Sequence, residues 1–286
     1  MVASSKTFPR LGLGGGALGS LGDNEAFRLL DAAVDFGITL VDVARSYGDA
    51  EARVGRWRKQ RPGVEIVVVT KGGYGSEARD WTGAAVAQGI DGAVALLGTV
   101  DAFLLHSCTP EILSRDDVGE ALLGALRRGQ VGAVGYSGDN DDLHAALDRA
   151  RDWELTVIEA SLSLLDGKAR VHTLPRAAAL GMQVIAKRAL ANCPWLTSGA
   201  DGDPADRRRQ HQRFLRAGLP DCGVPFPELF LRFAAWTSGV STVLIGTRRV
   251  ESLRQAVAAL AQGPLPDELL RSLAPALSRC DQESLT

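Results

Sequence analysis

Residues 23–44 read DNEAFRLLDAAVDFGITLVDVA. The first part has helical spacing. Asp23 or Asn24 is placed to cap it, Phe27, Leu30 and Val34 recur every three to four residues, and Gly37 is placed to stop it. The rest, ITLVDVA (38–44), is a short β-branched run bounded by that glycine, which predicts a buried strand. The stretch is therefore a helix feeding a strand.

Working outward, the same alternation recurs along the chain. Strand-like runs stand at RLGLGG (10–15), ITLVDVA (38–44), EIVVVTK (65–71), VDAFLLH (100–106), VGAVGYS (131–137), LTVIEA (155–160), MQVIAKR (182–188) and STVLIG (241–246). Between them lie helical patterns. RDDVGEALLGALRRG (115–129) closes on Arg127, Arg128 and Gly129, which suits the negative end of a helix. PELFLRFAAWTSG (227–239) and VESLRQAVAAL (250–260) read alike. Strands alternating with helices predict a parallel sheet with crossover connections. Eight such units in 286 residues predict an α/β fold of the closed (β/α)₈ or TIM-barrel type rather than an open sheet. No composition break divides the chain, so residues 1–286 are expected to form one domain. The segment after the seventh strand, 189–240, is far longer than the other connections, and only its later part reads as a helix. A long irregular insertion there is expected to be a functional loop on the catalytic face. The tail 264–286 is expected to be a last helix packed outside the barrel.

Bulk properties narrow the function. A net charge of −2 supplies no basic field of the kind nucleic-acid binders use. The start, MVASSKTFPR, lacks the apolar stretch of a secretory signal, and no apolar run is long enough to span a membrane. Cys108, Cys193, Cys222 and Cys280 are scattered, which suits free thiols better than a disulfide frame or a zinc site. A cytoplasmic protein without a metal, a nucleic-acid partner or a membrane partner is expected. GLGGGALGS (12–20) matches a dinucleotide-binding glycine pattern through Gly14, Gly16 and Gly19, and Asp42 ends the next strand. The helix signal starts several residues late for that motif, and two half-folds would not explain eight like units. A first barrel strand ending in a flexible turn, where a ligand approaches bare backbone, is the preferred reading.

Barrel chemistry collects at the C-terminal ends of strands. Strand two ends at Asp42, and its loop carries Tyr47; strand three ends at Lys71; strand four ends at His106. These strands are consecutive, so their end groups should converge. A buried carboxylate and a buried ammonium can satisfy each other. An ammonium near Tyr47 should favour the phenolate and lower its pKa from the ordinary ~10. Such a phenol can protonate a carbonyl oxygen while hydride reaches carbon, and His106 can orient that oxygen. Taken singly, Asp42 with Lys71 reads equally as a structural ion pair at the rim, His106 as a rim histidine and Tyr47 as a loop aromatic. The four together make one mechanism.

In that order, VDVARSYGDAEARVG, VVVTKGG, FLLHS, VGAVGYSGDN, VIAKRAL and VLIGTRRVESLRQAV resemble the aldo-keto reductase family over nearly the whole chain. The resemblance implies a (β/α)₈ barrel, NADPH (NADP⁺) as cofactor, reduction of an aldehyde or ketone to an alcohol, and a tetrad of Asp42, Tyr47, Lys71 and His106 with Tyr47 the general acid. It also implies cofactor contacts at Ser137, Gly138, Glu159, Lys187, Arg188, Leu190, Gly246, Thr247, Arg248 and Gln255. Several depart from the family pattern. Gly138 stands for Asn, Glu159 for Gln, Lys187 for a stacking aromatic, and Gln255-Ala256 for a Glu-Asn pair. A carboxylate can accept from an amide NH₂ but cannot donate to its oxygen. Lys187 is expected either to pair with Glu159 or to reach the pyrophosphate. Arg248 is the expected contact for the adenosine 2′-phosphate, at a helix N-terminus suited to it. These departures keep open a catalytically slow, cofactor-binding barrel acting as a sensor or partner subunit, as in potassium-channel β subunits, and a barrel that isomerises or dehydrates instead. The resemblance implies a small carbonyl compound as substrate. Its identity would be set by loop 189–226, where Trp195, Phe214 and Phe226 offer an apolar lining and Arg207–Arg209 an anion contact. Trp57 and Trp81 read as packing residues. The protein is expected to be a monomer or weak oligomer.

Overall fold

The computed structural model describes residues 7–73, 81–196 and 204–283. Its centre is a closed barrel of parallel strands in sequential order: β1 (Leu11–Gly14), β2 (Leu40–Asp42), β3 (Val67–Gly72), β4 (Ala102–His106), β5 (Val134–Gly138), β6 (Leu155–Ser161), β7 (Gln183–Lys187) and β8 (Thr242–Gly246), with β8 paired to β1. All eight runs read from the sequence are strands, their ends shifted by a few residues.

The α-helices are α1 (Asp23–Asp35), α2 (Ala50–Gln60), α3 (Gly83–Leu97), α4 (Pro110–Leu113), α5 (Asp116–Arg127), α6 (Asn140–Asp148), α7 (Leu174–Ala179), α8 (Pro204–Ala217), α9 (Phe226–Trp236), α10 (Val250–Ala261) and α11 (Asp267–Glu283). Helix α1 ends as its sequence foretold. Gly37 takes φ +79 and the Ile38 N–H bonds back to the Ala33 carbonyl at 2.8 Å. Its start differs, because Gly22 is the N-cap and makes no side-chain bond. Asp23 instead accepts from Arg53 at 3.2 Å and Arg56 at 2.7 Å, tying α1 to α2. Trp57 is buried with its indole N–H donating to Asp31 at 2.8 Å, and Trp81 packs on the core, as expected of both.

The glycine-rich stretch opens no α-helix. Residues Gly15–Gly19 form a short 3₁₀ segment, and α1 begins only at Asp23. The insertion after β7 is less irregular than its composition suggests. Its residues 197–203 lie outside the described residues, but fourteen of those that follow form α8. That helix is mostly polar or charged, so its apolar period is faint. It is held by Arg213, which pairs with Asp166 at 3.3 Å and donates to the Leu165 carbonyl. Phe214 and Trp195 join Phe226 and Phe230 in an aromatic cluster, with Trp195 stacked on Phe226 at 5.6 Å and edge-on to Phe230 at 5.1 Å. The three aromatics expected to line a substrate pocket instead form a satellite core that anchors the loop.

Strand parity decides what faces the site. Leu40, Val69, Leu104, Val157 and Ile185 belong to one buried cluster that fills the barrel. Side chains of a strand alternate faces, so the residues two further on share that face. They are Asp42, Lys71, His106, Glu159 and Lys187. Their neighbours of opposite parity, such as Val41, Val68, Phe103, Ile158 and Ala186, pack outward against the helices. Among the described residues no helix is long and apolar enough to cross a membrane.

Candidate active site

The ladder registers of β4, β5 and β6 align His106 with Ser137 and Ser137 with Glu159, so these three form a row across the barrel mouth. Lys71 sits just below it, fully buried. Its ammonium donates to both Asp42 carboxylate oxygens at 2.6 Å and to the Val43 carbonyl at 3.1 Å. Glu159 Oε2 stands 3.2 Å from the same ammonium. That oxygen is close enough for charge attraction but is off the line of a hydrogen bond, and among the described residues it has no hydrogen-bond partner. The sequence expectation paired Asp42 with Lys71 and offered Glu159 to Lys187. The first holds. The second is corrected: Glu159 shares Lys71, while Lys187 donates to Ser137 Oγ at 3.4 Å and lies 3.9 Å from Asp139.

Two carboxyls around one ammonium change the electrostatics. Burial pushes the Asp42 carboxyl up, the Glu159 charge pushes it further, and Lys71 only partly opposes them, so it reaches about 8. Lys71 loses to burial but gains more from Asp42 and Glu159, and is held above the ordinary lysine value. Tyr47 lies with its ring centroid 5.2 Å from the Lys71 ammonium. Its phenol was expected to be lowered by that ammonium; it is raised to about 12. Burial dominates, and the charges of Asp42 and Glu159 offset the help from Lys71. His106 packs edge-on to Tyr47 at 6.1 Å, and its Nδ1 lies 3.4 Å from Ser46 Oγ. Burial and then the nearby Lys71 lower it to about 4, so the ring is neutral at physiological pH. Burial also lowers Lys187.

Above these groups opens a cavity of about 550 Å³. Asp42, Tyr47, His106 and Glu159 form its floor; Gly14, Gly15, Gly16 and Ser20 one wall; Lys187, Arg188 and Leu190 another; and Gly246, Thr247 and Arg248 the far end. Arg248 reaches over to Ser20 Oγ at 3.0 Å. The glycine turn read as a bare wall for a ligand lies beside the cavity. A Cβ on Gly15 would fall 2.7 Å from the Asp42 carbonyl oxygen, so the turn cannot carry a side chain there.

Kinship agrees with the geometry. The Aldo/keto reductase family profile matches residues 10–276. The chain belongs to the aldo/keto reductase family. A D-threo-aldose 1-dehydrogenase from a Pseudomonas species is 27% identical, covering 89% of this chain and 90% of its own. A 6-dehydroglucose reductase from Novosphingobium aromaticivorans is 30% identical over 49% of this chain and 50% of its own. Among solved structures, an aldo-keto reductase from Bacillus halodurans in its holo form superposes with TM-score 0.82 at 22% identity, covering 96% of this chain and 95% of its own. A glycerol dehydrogenase from Gluconobacter oxydans gives 0.77 at 23%, covering 94% and 91%. Membership makes the protein an oxidoreductase of small carbonyl compounds with a nicotinamide cofactor.

Within this aldo/keto reductase, ten of the fourteen residues singled out from the sequence line the cavity. Lys71 and Ser137 lie buried beside it. The remaining two do not reach it. Gly138 follows the row, and a Cβ there would fall 2.4 Å from Tyr136 Cε1. Tyr136 is fully buried and its hydroxyl donates to the Cys108 carbonyl at 2.7 Å, so its ring excludes an asparagine at Gly138. Gln255 sits exposed on α10 and donates to Glu251 at 3.4 Å, one turn back on its own helix. Sequence reasoning missed Asp139, Asn192 and Cys193, which also line the cavity. Asp139 directly follows the Ser137-Gly138 pair and holds Arg188 at 3.2 Å. Ala191, Asn192 and Cys193 form a left-handed turn, with φ of 48, 59 and 54, in the loop that follows β7. Non-glycine residues in that conformation cluster at functional sites, and no sequence period signals it.

Proposed function

We propose that this protein is an NADPH-dependent reductase of aldehydes or ketones in which Tyr47 is the general acid. The observation that carries the reading is the convergence of Asp42, Tyr47, Lys71 and His106 beneath one cavity. The cavity suits a dinucleotide on grounds independent of kinship. One wall is bare glycine backbone, the far end carries Thr247 and Arg248, and the buried Glu159 Oε2 can accept from an N–H donor of the carboxamide kind. Gly14–Gly16, Lys187, Arg188 and Leu190 would flank the bound cofactor, and Arg248 would meet a 2′-phosphate through bidentate contacts. When bound, the reduced nicotinamide supplies the hydride.

The remaining chemistry belongs to the protein. The Tyr47 phenol holds its proton at neutral pH and gives it to the carbonyl oxygen as that oxygen gains charge. With Nδ1 facing Ser46, the His106 Nε2–H is the donor left to orient the same oxygen. Lys71 stabilises the phenolate left behind, and Asp42 fixes Lys71 in place. The names of the two curated relatives make a hydroxylated, sugar-like carbonyl compound the first substrate class to test. A monomeric or weakly associating protein of the cytoplasm is proposed, formed as one domain.

One observation favours a second reading. Glu159 shares Lys71 with Asp42, which weakens the ammonium's hold on Tyr47. A slow, cofactor-binding barrel that acts as a sensor or partner subunit would tolerate that. Loss of NADPH absorbance with a panel of sugar aldehydes, followed for wild type and Tyr47→Phe, separates the two. Turnover that needs Tyr47 supports the reductase. Tight NADPH binding without turnover on any aldehyde supports the sensor.

A further inference from the structure

The floor of the cavity gathers one buried ammonium, Lys71, and two buried carboxyls, Asp42 and Glu159. The ammonium lies 2.6 Å from Asp42 and 3.2 Å from Glu159, and none of the three side chains is more than 3% exposed. One positive charge does not balance two negative ones, and a buried charge without compensation is costly. Carboxyls that share such a site keep a proton between them instead. Among the described residues, the groups packed around the pair leave that imbalance in place. The end of β1 is glycine. Tyr47, on the loop after β2, and His106, on β4, are neutral at physiological pH. Lys187, on β7, feels the Glu159 charge, but its contacts are Ser137 at 3.4 Å and Asp139 at 3.9 Å. Arg188 is paired with Asp139 at 3.2 Å. The Asp42 carboxyl accordingly stands at about 8.

Resting on the cofactor-binding part of the reading above, we propose that Asp42 and Glu159 hold one exchangeable proton, which the site gives to solvent when the oxidised nicotinamide binds and keeps when the reduced one binds. The two forms of the cofactor differ in charge. The oxidised ring is a cation, and the reduced ring is neutral. A ring that exchanges hydride with a carbonyl carbon held at Tyr47 and His106 has to lie over the same floor, where Glu159 Oε2 is an acceptor without a hydrogen-bond partner among the described residues. A cation there does for the second carboxylate what Lys71 does for the first, so both can ionise. By linkage, release of a proton on binding makes affinity for the oxidised cofactor rise with pH, while affinity for the reduced one stays level. Rising pH then favours alcohol oxidation. With glutamine at position 159, the Asp42 and Lys71 charges would balance and no proton would be held. Glu159 is thereby the residue that discriminates between the two redox forms.

The test is calorimetric titration of NADP⁺ and of NADPH into the wild type and into Glu159→Gln near neutral pH, each in PIPES and in Tris. These buffers differ in ionisation enthalpy, so the change in heat between them counts the protons released. Both cofactors carry the same 2′-phosphate, and its own titration cancels in the comparison. The wild type should release up to one proton more with NADP⁺ than with NADPH. Its preference for NADP⁺ over NADPH should grow by up to tenfold per unit between about pH 6 and about pH 8. Tyr47, at about 12, and His106, at about 4, titrate outside that window. In Glu159→Gln both the extra proton and the pH trend should vanish. Equal proton counts for the two cofactors in the wild type overturn the proposal, as does a variant that still releases the extra proton. Should the variant fail to fold, infrared difference spectra of the wild type decide. NADP⁺ should abolish a protonated-carboxyl band that NADPH leaves in place, and a band that neither cofactor changes overturns the proposal. No aldehyde has to turn over in these measurements. A wild type that binds both cofactors with equal proton counts condemns the proposal alone, and one that binds neither condemns the reductase reading with it.

Discussion

Glu159→Gln is the substitution whose consequence the site geometry specifies most fully. In the wild type Asp42 and Glu159 face one ammonium, and the Asp42 carboxyl is raised to about 8. The unfolded chain releases that proton near ~4. Folding therefore takes up a proton between about pH 4 and about pH 8, and stability falls as pH rises through that window, by up to ~1.4 kcal/mol per unit for one whole proton. Lys71 is raised above a value that lies well beyond the window, so it adds no slope there. His106, lowered to about 4, adds slope of the opposite sign below about pH 6.5, and it does so in both proteins. Once the second carboxylate is replaced by an amide, the Asp42 and Lys71 charges pair one to one, and Asp42 folds ionised. The variant should gain on the wild type by up to ~4 kcal/mol between about pH 5 and about pH 8, and by roughly half that if the site admits water. Urea unfolding of both proteins without cofactor across this range measures the difference. A difference that is flat with pH, or that shrinks toward alkaline pH, refutes the reasoning, because Asp42 would then be ionised in the native wild type.

Three further outcomes follow from the same groups. Tyr47→Phe should lower turnover by about 10²–10⁴-fold with NADPH affinity kept, measured by steady-state kinetics and fluorescence titration. With the phenol at about 12, carbonyl reduction should not lose its acid form between about pH 6 and about pH 10, whereas alcohol oxidation should rise with pH by up to tenfold per unit; a bell-shaped reductive profile centred near neutrality contradicts this. Gly138→Ala drives a methyl to within 2.4 Å of the Tyr136 ring and should cost about 1–3 kcal/mol of stability in urea unfolding; a change below about 0.5 kcal/mol shows that the ring can yield.

The fold and the site were legible in the sequence to different depths, and the reason is the range of the forces involved. Strand identity is local: a β-branched run between a glycine and a helical period announces itself, and all eight did. The direction of each terminal side chain is local too. Parity from Leu40 to Asp42, Val69 to Lys71 and Leu104 to His106 places three polar groups on the inner face before any tertiary contact is known. What parity does not supply is the pairing between strands that are far apart around the ring. Glu159 on β6 reaches Lys71 on β3 only because the barrel closes and its interior is narrow. A one-dimensional reading gave Lys71 a single carboxylate; the wrong sign for Tyr47 came first from the burial of the phenol, which such a reading does not see, and only then from the added charge of Glu159.

The same limit explains Gly138, Trp195 and α8. Gly138 reads as a lost asparagine until the Tyr136 ring is seen in its place, held there by a hydrogen bond to Cys108 on a neighbouring segment. Trp195, Phe214 and Phe226 read as a pocket because apolar residues in a polar loop need a use. Packing against Phe230 satisfies that need without a ligand. Removing them from the pocket alters the expected substrate. Those three aromatics no longer offer an apolar lining, and the arginines of the loop, placed on α8 rather than in an irregular stretch, turn Arg209 and Arg213 toward a polar cavity. The side-chain chemistry next to the Tyr47 site is thus cationic and hydrogen-bonding.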